Sequence, residues 1–201
     1  MNNLAYAYNS SDDDYKRRYE VIDGVIVMMS PRPCVDHVIV SGNIYRIFAN
    51  YLKGKRCIAF PDGADLYLDD ENHFIPDGMI ICNRNIIKRN YIKGAPDLVV
   101  EILSPITAKN DRGRKKEAYA KAGVKEYWIV DIKGKAIEVY LNHNGSLDID
   151  EIYYDFTPEE IAENEALPDG DKDKMVIRED IKVSLYDDLF VHIKDVFDNL
   201  L

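Results

Sequence analysis

Residues 98–103 have the sequence Leu98-Val99-Val100-Glu101-Ile102-Leu103, in which a single carboxylate interrupts an apolar run. An apolar run of this length is typical of a strand that is buried on both faces. An ionised acid in such a strand costs folding free energy unless a metal, a cation or hydrogen bonds compensate it. The run therefore predicts a central strand and, at Glu101, a functional carboxylate.

An acid and a lysine interrupt two other core-forming elements in the same way. Asp77 lies within the apolar run of residues 74–81. In the helix predicted over residues 107–122, Lys115 lies on the stripe that is small and apolar enough to pack on a sheet. The stripe comprises Ala108, Asp111, Lys115, Ala118, Tyr119 and Ala122. A lysine that faces the sheet one crossover away from Glu101 can bring its ammonium group to that carboxylate.

These three residues form a donor set that suits metal-dependent phosphoester hydrolysis. Asp77 and Glu101 would supply hard oxygen ligands to Mg²⁺ or Mn²⁺, ions that keep several waters and bind substrate phosphate. Such an ion lowers the pKa of a bound water and stabilises charge that develops on the attacked phosphate. Lys115 would position that water or offset charge on the phosphate.

Structural interpretations of the same three residues stay open at this point. Glu101 could be a structural carboxylate that is salt-bridged to Lys115 or Arg112. Asp77 stands between a proline and a glycine, where turn residues are common. Lys115 could extend along the apolar surface towards solvent, or pair with Asp111 one turn earlier.

Four further residues are candidates for an accessory part in the site: His37, Asp97, Asp111 and Tyr119. Alternate residues of a strand share a face, so Asp97 and Glu101 are expected on the same side of the sheet. Asp97 follows a proline and has a competing role at the start of its strand. A histidine such as His37 more often caps or packs than binds a metal.

The composition predicts one domain, 1–201, that buries a substantial core, since the 201 residues are 46% hydrophobic. We place the core at about 19–141, an acidic segment at about 148–173 and a C-terminal helix at about 186–200. The longest apolar runs are only of strand length, and the N-terminus has no basic region followed by an apolar stretch. We therefore expect a cytoplasmic protein.

The three cysteines, Cys34, Cys57 and Cys82, are odd in number and widely spaced, and they form no CxxC motif. This spacing argues against disulfides and against a zinc site. We expect free thiols.

The net charge of -10 is unevenly distributed along the chain. Residues 148–173 contain eleven acids against the one base Lys172, so this segment accounts for the whole net charge. Residues 109–125 carry seven bases against two acids, and a second basic stretch contains Arg84, Lys88, Arg89 and Lys93. Such runs are usually solvated faces. Their position on both sides of the Glu101 strand favours a surface that binds a polyanion, with Lys109, Arg112, Arg114 and Lys116 as the nucleic-acid-binding candidates.

The order of elements predicts an α/β or α+β domain with a mixed sheet flanked by helices. Residues 19–29 form a β-hairpin with a turn at Asp23-Gly24. An amphipathic helix follows from about His37 to Leu52. In the C-terminal part, strand-like pieces lie near 150–154 and 174–177, and apolar residues from about Tyr186 onward recur at helical spacing. Further short strands are predicted around 56–60, 64–68, 75–82, 97–104, 126–131 and 136–141.

The central motif resembles a known family. The stretch Ala95-Pro96-Asp97-Leu98-Val99-Val100-Glu101-Ile102-Leu103-Ser104-Pro105, continued through Asp111, Lys115 and Tyr119 to residues 122–131, resembles the Uma-type putative restriction endonuclease family of the PD-(D/E)XK nuclease superfamily. Tyr19-Glu20-Val21-Ile22-Asp23-Gly24 and Ile75-Pro76-Asp77 also match its pattern, so the resemblance spans roughly residues 19 to 141.

The resemblance implies a restriction-endonuclease-like core, with Asp77 as the motif aspartate and Glu101 as the motif glutamate. The sequence departs from the usual E-X-K motif, because Leu103 stands where the lysine is expected. In this family the lysine comes from the following helix, which corresponds to Lys115. The superfamily's first-helix acid has no match, since histidine and serine occupy that stripe.

The resulting hypothesis is a metal-dependent endonuclease that hydrolyses DNA phosphodiester bonds with Mg²⁺ or Mn²⁺. An alternative is a non-catalytic DNA-binding or protein-interaction module on a nuclease-derived fold, in which the acidic segment masks the basic surface or contacts a protein. A third is hydrolysis of another phosphoester. The apolar C-terminal stripe favours a core face or a homodimer interface.

Overall fold

The computed structural model describes residues 18–29, 32–173 and 175–201. The strands are β1 (Tyr19–Ile22), β2 (Val25–Met28), β3 (Ile58–Pro61), β4 (Leu66–Tyr67), β5 (His73–Phe74), β6 (Gly78–Ile81), β7 (Ile92–Lys93), β8 (Leu98–Ile102), β9 (Glu126–Asp131), β10 (Ala136–His143), β11 (Ser146–Tyr154), β12 (Asp180–Lys182) and β13 (Phe190–His192). The helices are α1 (Val35–Leu52), α2 (Ala108–Asn110), α3 (Lys116–Ala122), α4 (Pro158–Ala166) and α5 (Ile193–Val196), with a π-helical segment at Asp111–Lys115 and a 3-10 turn at Arg84–Ile86.

A six-stranded mixed sheet in the order β11-β10-β9-β8-β6-β3 forms the centre of the fold. β8 and β9 are parallel, and the other neighbouring pairs are antiparallel. Parallel neighbours need a crossover connection, which residues 103–125 supply with α2 and α3. The prediction of a mixed sheet with flanking helices is confirmed.

Every residue of β8 is buried, as its apolar sequence predicts. Leu98, Val100 and Ile102 belong to the core that includes the buried stripe of α1. Val99 belongs to the core on the other face, where Tyr119 of α3 packs. Because side chains alternate along a strand, Glu101 shares the face of Val99 and points towards the crossover.

A second sheet, in the order β2-β1-β5-β4-β7, starts with the predicted hairpin of β1 and β2. Asp23 and Gly24 both have positive φ, at 51° and 74°, as a two-residue hairpin turn requires. β1 then pairs with β5 through Val21 and His73. This pairing holds Glu20 and Ile22, which are 3% and 0% exposed, against the interior.

The crossover helix is not the single helix predicted over residues 107–122. The π-helical segment separates α2 from α3, and Gly113 within it has non-helical dihedrals, φ -115° and ψ -109°. Segments of π-helix often occur at functional sites, because the wider turn re-aims neighbouring side chains. Here the segment buries Asp111 and Lys115 together.

The prediction of a C-terminal helix over residues 186–200 is wrong. Phe190–His192 form β13, which pairs with β12, and the helix α5 is limited to Ile193–Val196. Four of the six apolar residues that suggested the helix are buried in the core beneath α1, namely Leu189, Ile193, Val196 and Phe197. The acidic segment includes the end of β11 and the helix α4, which the sequence did not predict, and the strand expected at 174–177 is absent from its described residues 175–177.

Two cysteines also contradict the expectation of free thiols. Cys57 and Cys82 form a disulfide, and Cys34 is free and exposed. The register of β3 and β6 places Ile58 opposite Ile81, so the next residue outward on each strand is a cysteine. Within the described residues, no helix is both long and apolar enough to cross a membrane.

Candidate active site

Lys115 lies at the centre of a buried group of acids. Its Nζ atom is 2.7 Å from Glu101 Oε1, 2.9 Å from Glu20 Oε1 and 3.5 Å from Asp111 Oδ1. The ammonium also lies 5.3 Å from the centroid of the Phe74 ring. Burial lowers the pKa of Lys115, but the three carboxylates outweigh burial and raise that pKa above its usual value. The lysine is therefore a fixed positive charge at any physiological pH.

Glu101 is held by two donors on one oxygen. The Tyr119 hydroxyl donates a hydrogen bond of 2.7 Å to Glu101 Oε1, the same atom that contacts Lys115. Burial raises the pKa of Glu101 well above its usual value, and the ammonium of Lys115 offsets only part of this effect. The charges of Asp111, Glu20 and Asp77 raise the pKa further. The carboxyl of Glu101 is therefore in an environment that favours an additional cation.

Asp77 stands immediately before β6, at the end of β8 that carries Glu101. Its Oδ2 atom accepts a hydrogen bond of 2.7 Å from the backbone N–H of Ile102. Its Oδ1 atom lies 3.3 Å from His37 Nε2, and its backbone oxygen accepts a bond of 3.1 Å from Ser41. Burial lowers the pKa of His37, but the hydrogen bond and charge of Asp77 outweigh burial and raise it.

Asp111 is the least satisfied of these acids. Its residue is 1% exposed, and among the described side chains its Oδ1 atom is the buried polar atom that makes no hydrogen bond. The Lys115 ammonium at 3.5 Å is close enough for electrostatic attraction but does not form a hydrogen bond with it. Burial raises the pKa of Asp111, and Lys115 partly offsets that rise. A buried carboxylate oxygen without a protein donor is suited to accept a hydrogen bond from water or to contact a cation.

We call Glu20, Asp77, Glu101 and Asp111 the acid cluster. When all four are ionised, the ammonium of Lys115 and a protonated His37 supply at most two positive charges. Glu20, Glu101 and Asp111 are buried and Asp77 is partly buried, and carboxylates withdrawn from water in excess of their cations are either protonated or bind a further cation. The charge and the oxygen donors therefore fit a hard divalent ion such as Mg²⁺ or Mn²⁺.

The described residues contain no group of three or more histidine, cysteine, aspartate or glutamate side chains already arranged around one metal position. Mg²⁺ is usually held by one or two carboxylates, with water and substrate phosphate completing its coordination. Asp77 and Glu101 are the pair that would hold the ion, since they lie at the same end of β8. The contacts of Glu101 with Lys115 and Tyr119 are both made by its Oε1 atom and not by Oε2.

Glu20 is the member of the cluster that the sequence analysis missed as a site residue. It accepts hydrogen bonds from Lys115 and from the backbone N–H of Ile75, at 2.9 and 3.1 Å, both on Oε1. The period of two in β1 gave a usable signal, because Glu20 shares its face with the fully buried Ile22. Glu20 therefore supplies a site acid from the β1–β2 hairpin, whereas the first helix supplies none at the position expected for the superfamily.

The structure brings together three of the four accessory candidates. His37 contacts Asp77, Tyr119 donates to Glu101 and Asp111 joins the acid cluster. Asp97 does not join them, because it lies at the opposite end of β8, about 13 Å from Glu101 at 3.3 Å per residue. There it accepts bonds from the backbone N–H of Cys82 and from Lys125, at 2.7 and 2.8 Å.

The nucleic-acid-binding candidates of the crossover lie on its surface with partners of their own. Arg112 forms a salt bridge of 2.6 Å with Glu138, and Lys116 lies 4.5 Å from the centroid of the Tyr140 ring. Arg114 donates to the Asn110 side chain at 3.3 Å. Lys109 is exposed. The Glu138 carboxylate neutralises the charge of Arg112, so this surface is less basic than the sequence count indicates.

Comparison with known proteins identifies the family. The family described as "Uma2: Putative restriction endonuclease" matches residues 5–173. The chain belongs to this family. The family resemblance inferred from the central motif is thus confirmed.

The chain is similar to two further proteins. It resembles the crystal structure of a putative nuclease belonging to DUF820 from Anabaena variabilis ATCC 29413, with a TM-score of 0.61, 19% identity and coverage of 89% of each chain. At this identity the likeness shows a shared fold. The chain is also 29% identical, over 135 residues, to the uncharacterized protein slr1290 of Synechocystis sp., a match that covers 66% of this chain and 70% of the relative.

Proposed function

We propose that this Uma2-family protein is a divalent-metal-dependent endonuclease that hydrolyses phosphodiester bonds in DNA. The observation that carries the proposal is the arrangement around Lys115. Its ammonium lies 2.7 Å from Glu101 within an acid cluster whose negative charge exceeds the available side-chain cations. Mg²⁺ or Mn²⁺ bound there would activate water and stabilise charge on the attacked phosphate.

Asp77 and Glu101 would hold the metal, and their neighbours fix the orientation of each carboxylate. The backbone N–H of Ile102 donates to Asp77, and the Tyr119 hydroxyl donates to Glu101. Both donors belong to buried or partly buried elements, so the two carboxylates are held in a fixed orientation before the metal binds. This preorganisation reduces the cost of reorienting them during the reaction.

Lys115 would place a positive charge beside the attacked phosphate or orient the attacking water. Its position depends on Glu20, which accepts a hydrogen bond of 2.9 Å from the ammonium. If Glu101 were the sole partner of Lys115, the ammonium would leave Glu101 to contact a phosphate. Glu20 is a second partner that keeps the ammonium in place. Glu20 is therefore proposed as a positioning residue for Lys115.

The same contacts also suit the structural interpretation, in which the Lys115–Glu101 pair only stabilises a non-catalytic module. The two functions differ in their response to substitution. We propose to measure cleavage of plasmid and single-stranded DNA with Mg²⁺ or Mn²⁺ by the wild type and by Asp77→Ala, Glu101→Ala and Lys115→Ala. Loss of cleavage in each folded variant is expected, and cleavage that survives all three substitutions rejects the site.

Glu126→Gln provides a matched control for the loss of a buried acid. Glu126 is 0% exposed and accepts hydrogen bonds from Trp128 at 2.6 Å and from the Ser184 backbone at 2.7 Å. It lies on the α1 side of the sheet with Trp128, away from the acid cluster. A Glu126→Gln variant that folds is expected to keep cleavage activity. If it loses activity to the same extent as the site variants, destabilisation explains all of them.

A further inference from the structure

Two segments of the chain contain no acid at all. Residues 37–61 carry Arg46, Lys53, Lys55 and Arg56, and residues 78–96 carry Arg84, Lys88, Arg89 and Lys93. Neither segment includes an aspartate or a glutamate, although the chain as a whole has a net charge of -10. We call them the acid-free segments. A local excess of bases in an acidic protein indicates a surface with an anionic partner.

The fold joins the two acid-free segments at one edge of the central sheet. β3 of the first segment pairs with β6 of the second, and the Cys57–Cys82 disulfide links them at the end of this pair. The Arg84 guanidinium donates to the backbone oxygens of Arg56 at 2.9 Å and Lys55 at 3.4 Å. Because carbonyl oxygens carry no net charge, these bonds hold Arg84 in place without neutralising it.

Lys55 is held in a comparable way. Its Nζ atom lies 3.4 Å from the centroid of the Tyr51 ring, a contact that positions the ammonium and leaves its charge in place. The Asp188 carboxylate approaches this side of the surface, where it accepts a hydrogen bond from the Tyr51 hydroxyl. On the opposite side, towards β3, the described residues that line the surface belong to the acid-free segments.

A groove of about 500 Å³ lies between α1 and β3, lined by Tyr45, Ala49, Lys53, Lys55, Ile58 and Arg84 among others. We call it the edge groove. Among the described strands, β3 is the last of the sheet, so one side of its backbone faces the groove without a neighbouring strand from this part of the chain. The groove thus combines three cations with an exposed aromatic ring, that of Tyr45.

α1 runs from Asp77, the member of the acid cluster that it contacts, to the edge groove. His37 and Ser41 contact Asp77 at the start of the helix. Tyr45 and Ala49 follow Ser41 along α1, and Lys53 comes directly after the helix ends at Leu52. The twelve residues from Ser41 to Lys53 span about 18 Å at 1.5 Å per residue. This distance corresponds to roughly five nucleotide steps at 3.4 Å per step.

We propose that the edge groove binds the sugar–phosphate backbone of the nucleic-acid strand that enters the acid cluster, a few nucleotides from the cleaved bond. Lys53, Lys55 and Arg84 contact phosphates, and the Tyr45 ring offers a face on which a base stacks. This inference rests on the proposed function, since it extends the same site. Under this proposal the principal phosphate contacts are made next to α1 and β3, and not by the crossover residues that the sequence suggested.

The test is a binding measurement that does not depend on cleavage. Fluorescence anisotropy of a labelled DNA strand long enough to span the groove and the acid cluster is recorded in EDTA, over a range of salt concentrations. The variant is Lys53→Gln/Lys55→Gln. Its matched control is Lys133→Gln/Lys135→Gln, which removes two exposed lysines at the same spacing from the β9–β10 turn. That turn is next to Asp131 and Asp155, which makes it a poor surface for phosphate.

We expect the groove variant to bind more weakly and the control variant to bind like the wild type. Removing two phosphate contacts reduces the slope of log K against log salt by about 1.4 to 1.8. Equal changes in both variants, or an unchanged slope in the groove variant, overturns the proposal. A groove variant that binds DNA normally but loses self-association in sedimentation overturns it as well, because β3 would then be an interface between copies of the chain.

The outcomes separate this inference from the proposed function. Cleavage by the wild type together with unaltered DNA binding by the groove variant rejects only the edge groove. Salt-dependent binding that needs Lys53 and Lys55, without cleavage under any metal condition, rejects only the endonuclease activity and supports the groove.

Discussion

Lys115→Met is expected to destabilise the protein strongly at neutral pH and much less in acid. The side chains of Lys115 and Glu101 are 3% and 6% exposed, so the substitution leaves a buried carboxylate without its cation. Breaking a buried pair in this way costs about 3–5 kcal/mol. Methionine approximates the length of lysine, so lost packing contributes little. Urea denaturation followed by circular dichroism measures the change in the free energy of unfolding.

The pH dependence follows from the raised pKa of Glu101. A carboxyl whose pKa is raised by folding stabilises the folded state most below its unfolded pKa, about 4, and this contribution disappears as the pH rises through the folded-state pKa. Without Lys115 the pKa of Glu101 rises further, so the loss of stability in the variant grows as the pH rises above about 4. Adding Glu101→Gln to the variant should recover part of that loss.

Lys125→Met is the matched control for this prediction. Lys125 forms a salt bridge of the same kind, 2.8 Å from Asp97, but its side chain is 65% exposed. An exposed pair contributes about 0–1 kcal/mol. The predicted effect of burial is wrong if Lys115→Met lowers the free energy of unfolding at neutral pH by no more than Lys125→Met does, or if the loss does not decrease in acid.

The reduction of a disulfide and two other substitutions test separate parts of the structure. Reducing the Cys57–Cys82 disulfide, which spans a sequence separation of 25, should lower the free energy of unfolding by about 3–4 kcal/mol, measured with and without reductant; an unchanged midpoint rejects the disulfide. Tyr119→Phe removes the donor to Glu101 and should cost about 1–3 kcal/mol in the same assay, while raising the pH at which metal-dependent cleavage begins; an unshifted pH profile contradicts the role of this bond. Thr157→Ala breaks the capping box of α4 and should cost about 1 kcal/mol, with DNA cleavage unaffected because α4 lies outside the acid cluster.

The sequence was most informative where local pattern alone determines structure. The apolar run around Glu101 predicted a central buried strand, and Asp23-Gly24 predicted the hairpin that carries Glu20. The sheet-facing stripe predicted that Lys115 would approach Glu101, because a crossover between parallel strands packs back onto the sheet. The catalytic role of these residues stays a prediction.

The features that the sequence did not predict depend on contacts between distant segments. Glu20 and Lys115 are 95 positions apart and meet only because β1 pairs with β5. The disulfide depends on the register of β3 and β6. At the C-terminus, the apolar spacing from Leu189 onward suits a helix, but pairing with β12 converts Phe190–His192 into a strand. At the C-terminus, tertiary pairing therefore overrides local periodicity.

Titration with Mn²⁺ by calorimetry asks whether the excess negative charge of the acid cluster binds a divalent cation. We expect the wild type and Glu126→Gln to bind Mn²⁺ alike, and Asp77→Ala and Glu101→Gln to lose this binding. Mn²⁺ binding that is unaffected by Glu101→Gln would rule out Glu101 as a metal ligand and leave Glu101 and Lys115 as a structural ion pair.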